Sequence, residues 1–310
     1  MGIAAAPKPK EIVYTGMCDA SAAVALTPDL LAVADDEDNA IRVYKGGQGG
    51  SPIRSYELSG FLSVDPQKPE SDIEAACRVK DRIYWITSHG QNQEGEYRRS
   101  RHSFFATATD ANGGLEPIGR AYHNLLTDLL RDPRLAPFRL ASGSLLPPKS
   151  RGGLNIEGLC ATRGDHLLIG FRNPIPQGRA LLVPLENPEE LLFGKAARFG
   201  TPIQLNLDGL GIRDIVQVGE HYIIVAGSYD GSGKTRLYRW HGNQAQPEAL
   251  KGVDLGSING EALIIYPQMT NLLEVLSDDG TRKVNGIPCK KLTQPADRRF
   301  RSVRVSLPGL

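Results

Sequence analysis

Apolar and polar positions alternate in short runs along most of the chain, and each run is closed by Gly, Pro, Asn or Asp. Segments such as "RIYWIT" (82–87), "LLIGF" (167–171) and "YIIVAG" (222–227) are rich in β-branched and aromatic residues, which favour strands. Helical spacing is confined to one stretch, where Leu125, Leu126, Leu129 and Leu130 fall on one face. The pattern predicts an all-β fold.

The pattern also repeats. Five segments, "CDASAAVAL" from 18, "SDIEAACRV" from 71, "LNIEGLCAT" from 154, "LGIRDIVQV" from 210 and "INGEALIIY" from 258, share a polar lead-in, a polar or charged residue and an apolar run. After each come a turn, a second apolar strand ("LLAVADDE", "RIYWITSHG", "LLIGFRNP", "YIIVAGSYDG", "NLLEVLSDDG") and a third. Fourth strands follow in four units, and the fifth runs out of chain. The missing strand is expected at the other end, in "KEIVYTG" (10–16). Four-stranded units repeating at about 50 residues predict a β-propeller. The expectation is a single five-bladed domain over residues 1–310, closed by its N-terminal strand, with a helical insertion at about 121–153. A degenerate sixth blade in place of that insertion is the alternative.

Aligning the five segments places Ser21, Glu74, Glu157, Arg213 and Glu261 in one column. First strands of propeller blades line the central channel, so these side chains are expected to converge on the axis. Carboxylates roughly 6 Å apart repel by about 3 kcal/mol per pair at an effective dielectric of about 20, so a ring of three needs compensation. Arg213 supplies part of it. Two readings stand: a salt-bridge network that pins the blades together, or a divalent-cation site. Oxygen ligands without His or Cys suit Ca2+ or Mg2+.

Consecutive strands are antiparallel, so the ends of second strands are expected beside the starts of first strands. This gathers Asp19, Asp72, Asn155 and Asn259 with Asp35, Asp36, His89, Arg172, Asn173, Asp230 and Asp278 around one mouth. His89, Asp35, Asp36 and Asp72 are the candidate acid–base residues. Arg172 and Asn173 form a candidate anion clamp, since a guanidinium offers a two-pronged fork to phosphate or carboxylate. Asp19, Asn155 and Asn259 complete the expected substrate contacts. "DDEDN" (35–39) spaces carboxylates as calcium loops do but lacks the glycine and distal glutamate of an EF-hand.

"GSYDGSGKT" (227–235) imitates a phosphate-binding loop. Ser228 stands where the motif needs its first glycine, and "TRLYRW" alternates like a strand where a helix must follow. A hairpin is predicted there, and no nucleotide cofactor.

The 36 basic and 35 acidic residues leave a formal charge of +1, which gives no field for nucleic acid or an anionic membrane. The expected partner is a small-molecule ligand or a protein, and the chain is expected to be a monomer. Cys18, Cys77, Cys160 and Cys289 show no paired spacing and are expected as reduced thiols, with Cys77 and Cys160 in the core. No run of 18 apolar residues occurs. A cytoplasmic location is the expectation, and a periplasmic or secreted one the alternative, because "AAAPKPK" has the look of a mature end left by a signal peptidase.

With those residues in place, "DASAAVAL…LAVADDEDNAIRVY", "DIEAACRVKDRIYWITSHG" and "NIEGLCA…HLLIGFRNP…GRALLVPL" resemble a bacterial domain-of-unknown-function family, number 3616, of predicted β-propellers. That resemblance implies the fold and no activity. The column Ser21, Glu74, Glu157 and Glu261 is similar in pattern to the calcium-activated nucleotidases (apyrases), five-bladed propellers with calcium held by one Ser or Glu per blade. That likeness implies a metal-dependent hydrolase of a phosphorylated or otherwise anionic small molecule. Arg213 departs from it. The competing expectation is a non-catalytic propeller that binds a protein or small ligand.

Overall fold

In a computed structural model that describes residues 9–243 and 245–307, the strands form five four-stranded antiparallel sheets arranged as propeller blades. The inner strands are Ala22–Thr27, Ile73–Val79, Asn155–Ala161, Gly211–Val218 and Gly260–Tyr266. The second strand of blade 3, Leu167–Asn173, is buried at every position. Such strands read as unbroken apolar runs because each blade is covered on both faces by its neighbours.

Five apolar clusters fill the five interfaces between blades. Trp85 and Phe105 lie between blades 1 and 2, Phe104 and Phe171 between 2 and 3, and Tyr238 and Trp240 between 3 and 4. Val225 and Val275 lie between 4 and 5, and Tyr14, Tyr44 and Phe300 between 5 and 1. Blade 5 is completed from the N-terminus: Glu11–Thr15 pairs antiparallel with Arg299–Ser306, with Tyr14 opposite Phe300. A buried carboxylate locks this closure. Glu274 accepts hydrogen bonds from Tyr14 (2.8 Å), Tyr266 (2.9 Å), Ser302 (2.6 Å) and Arg304 (2.9 Å).

A disulfide joins Cys18, just before blade 1, to Cys289, in the long connection within blade 5, across 271 residues. This corrects the expectation of four reduced thiols. Residues so far apart in sequence carry no spacing rule, and the ring brings them together. Cys77 and Cys160 are free and buried in the core, as expected.

The insertion is helical in three short pieces, Leu125–Arg131, Pro133–Phe138 and Leu140–Gly143, and adds no blade. Leu125, Leu129, Leu135 and Leu140 fasten it to the core between blades 2 and 3. The "SYDGSGKT" stretch is a hairpin joining strands His221–Gly227 and Arg236–Trp240.

Candidate functional site

Four inner strands carry a β-bulge at the same place. Pairing with the second strand skips between Ile73 and Ala75, Ile156 and Gly158, Ile212 and Asp214, and Gly260 and Leu263. The residues left out include Glu74, Glu157, Arg213 and Glu261. A bulged residue is released from the ladder and re-aimed, and bulges concentrate beside functional sites. The aligned column is therefore a column of bulge residues. All four, with Ser21, line a cavity of about 500 Å³ at one mouth of the channel.

Oxygens of Glu74, Glu157 and Glu261 come within 4.8 Å of one another. Their partners differ. Glu157 accepts from Arg172 Nη1 (2.6 Å) and Asn155 Nδ2 (2.7 Å) and lies 3.4 Å from Arg213 Nε. Arg213 also binds Glu261 and donates to Asn259 Oδ1 at 3.0 Å. Burial and the neighbouring Arg172 hold Arg213 below the usual guanidinium range. Glu74 accepts no hydrogen bond among the described residues. Burial, then Asp72 and Glu157, push its carboxyl well above the ordinary range. Ser21 Oγ donates to the carbonyl of Ile73 at 2.6 Å and so ties blade 1 to blade 2.

A second acidic group, Asp19, Asp35 and Asp36, offers oxygens within 4.8 Å of one another. Asp19 is raised to about 9 by burial and by its hydrogen bond and repulsion with Asp278, which is lowered by the same shared proton and by Arg213. The backbone N–H of Gly280 also donates to Asp19. A Cβ on residue 280 would stand 2.0 Å from Asp19 Oδ2, so only glycine permits this approach. Asp36 Oδ1 is buried without a partner, and burial with Asp19, Asp35 and Glu74 nearby raises this carboxyl strongly. Asp35 is raised to about 6, chiefly by burial, and its oxygens accept from the N–H groups of Glu37 and Cys18.

The mouth gathers only part of what the sequence proposes. Asp19, Asp36, Asp72, Asn155, Arg172 and Asp278 line the cavity. His89 does not: it is fully buried, its Nδ1 lies 2.8 Å from the carbonyl of Thr87, and burial lowers it to about 4. Asp35 and Asn259 do not line it either, and Asp230 caps its own hairpin through Ser228 and Ser232. Asp72 is tied to Arg101. The expected anion clamp is partly engaged: Arg172 donates through Nη1 to Glu157 and through Nε to the carbonyl of Ser228, its Nη2 is buried without a partner, and Asn173 Nδ2 donates to the carbonyls of Pro148 (2.8 Å) and Ser150 (2.6 Å). Asn173 thus anchors the insertion. Residues 106–258 match the model of the DUF3616 family, whose description is a protein of unknown function.

No curated protein matches the chain. Among solved structures, the glutaminyl cyclase of Myxococcus xanthus matches with a TM-score of 0.50 and 10% identity, covering 97% of each chain. The PQQ-bound aldose sugar dehydrogenase of Streptomyces coelicolor matches at 0.45 and 14% identity, covering 97% of this chain and 100% of that one. Likeness at such identities shows the fold alone.

Sequence reading missed the cations of this mouth. Lys68 and Lys149 reach the cavity without an ion pair among the described residues, and Lys290 lies 3.2 Å from Glu37. Lys149 comes from the insertion and Lys290 from the loop clasped by the disulfide, outside the repeat that revealed the column.

The raised carboxyls make stability depend on pH. Asp19 (about 9) holds a proton in the folded chain that the unfolded chain has lost above about 4. Its contribution is complete at low pH and is lost as pH rises through 9. In EDTA, the unfolding free energy measured with urea is expected to fall between about pH 6 and 9, by up to about 1.4 kcal/mol per pH unit. Asp19→Asn should flatten that slope; an unchanged slope counts against the assignment.

Proposed function

We propose that the mouth is a divalent-metal-dependent site that hydrolyses a phosphorylated or otherwise anionic small molecule. The observation that carries this reading is the pair of unpaired carboxylates, Glu74 and Asp36, facing one cavity whose rim holds the unpaired Lys68 and Lys149. The donor set fits Ca2+ or Mg2+: Glu74, the second oxygen of Glu261 and the lone pairs of Ser21 are hard oxygens, while Glu157 is largely taken up by Arg172 and Arg213. A cation held there would polarise the substrate or a water. The chain's own residues supply the rest. Lys68 and Lys149 attract the anion, Asp36 stands free to accept or hold a proton, and Arg172 and Arg213 keep the ring from repelling itself. The disulfide supports a further reading, that the chain folds in an oxidising compartment.

Calorimetric titration of EDTA-treated protein with Ca2+ and Mg2+ tests the metal. Glu74→Gln is expected to weaken binding more than about tenfold, since even the partners behind metal ligands are worth that much. Absence of binding in the wild-type chain removes the metal mechanism. The second reading, a non-catalytic scaffold, is favoured by the direct guanidinium bridges across the ring. A metal-loaded protein that turns over none of a panel of phosphate, sulfate and carboxylate esters would select it.

A further inference from the structure

Two loops of the mouth also carry exposed apolar side chains. Leu145 is 74% exposed, Leu146 39% and Tyr97 60%, and these stand on the two loops that also give the cavity Lys149, Pro148 and Arg98. The loops abut: a Cβ on Gly95 would lie 3.4 Å from Pro147. They are also held stiffly. Gln91 Nε2 donates to the carbonyl of Ser144 at 2.6 Å, Asn173 holds those of Pro148 and Ser150, and Tyr97 stacks on His102 with ring centroids 4.7 Å apart. Exposed leucines on a braced loop are preorganised for an apolar partner. Five consecutive residues, 145 to 149, run from that apolar lip to an unpaired ammonium on the cavity wall.

We propose that the mouth takes an amphipathic anion, a small molecule whose phosphate-like or carboxylate head lies at Lys149 and whose alkyl or aryl tail packs on Leu145, Leu146 and Tyr97. This rests on the anionic-substrate reading above and names its substrate class. The occupant is a small molecule because the apolar side chains stand on the same two loops that give the cavity Arg98, Pro148 and Lys149, and Lys149 matches the head in charge.

The test is calorimetric titration with methyl, butyl and octyl phosphate, with octyl glucoside as the uncharged tail. In the wild-type chain each added methylene tightens binding by about twofold, about half the free energy of full burial, so octyl phosphate binds about sixteenfold tighter than butyl phosphate. Leu145→Ser/Leu146→Ser removes that gain and leaves methyl phosphate unchanged, whereas Lys149→Gln weakens all three phosphates alike. Equal affinity for butyl and octyl phosphate, or a gain that survives in the double variant, overturns the lip while leaving the anion site standing. Octyl glucoside binding as tightly as octyl phosphate overturns the charged head, and with it the anionic-substrate reading. Leucine-dependent sedimentation with anionic phospholipid vesicles, without binding of any monomeric phosphate, replaces the proposal with a membrane-docking loop.

Discussion

Arg213→Gln, in protein stripped of divalent cations, is expected to lower unfolding free energy by about 3–5 kcal/mol, the usual effect of removing one partner from a buried ion pair. Arg213 binds Glu261 and lies 3.4 Å from Glu157, and its side chain is almost wholly buried. Glu261 has no other hydrogen-bond partner among the described residues. Without the guanidinium it must take up a proton or acquire a cation. The metal proposal therefore makes a second demand: millimolar Ca2+ should recover most of the loss in the variant and raise its midpoint more than that of the wild-type chain. Urea unfolding in EDTA and in calcium measures both. A variant as stable as the wild type in EDTA would show that Arg213 does not hold the ring, and a loss that calcium leaves untouched would favour the scaffold.

Breaking the Cys18–Cys289 disulfide, by Cys18→Ser/Cys289→Ser or by a dithiol under mild denaturant, is expected to cost about 5.6 kcal/mol. That is the chain-entropy figure for a loop of this length. The effect should also reach the mouth. The Cys18 carbonyl accepts from Asp279 N–H, the neighbouring Asp19 accepts from Gly280, and Lys290 N–H donates to the Gly280 carbonyl at 3.0 Å. The clasp thus holds Asp19, Gly280 and Lys290 against the cavity. Ligand affinity should fall along with the unfolding midpoint, and a variant that unfolds earlier yet binds Ca2+ or phosphate as before would confine the disulfide to stability.

How far the sequence reaches can be seen in particular residues. The second, third and fourth strands were legible because turn residues and alternation are local, even where the connection is long, as between Thr87 and Phe104. The closing strand was legible as a surplus at one end matching a deficit at the other, and "EIVYT" does pair with the last strand. The column was legible for a related reason: the same lead-in precedes each inner strand. Its orientation was not. Alternation alone cannot announce a bulge, and the bulge at Glu74, Glu157, Arg213 and Glu261 turns these side chains to the axis. Asp35, Asn173 and His89 illustrate the opposite failure. Their places at strand ends were read correctly, but backbone groups, from the same turn for Asp35 and His89 and from the insertion for Asn173, take their polar atoms out of the cavity.

The sequence by itself determined the propeller, its closing strand and the five residues of the aligned column, because each follows from the repeat of one local pattern along the chain. Only the tertiary structure decided that Cys18 meets Cys289, that Arg172 and Arg213 share Glu157, that Glu74 and Asp36 stay unpaired, and that Lys149 reaches the same cavity. These pairings join side chains from different blades and loops, and closing the ring sets their distances, which no local pattern encodes.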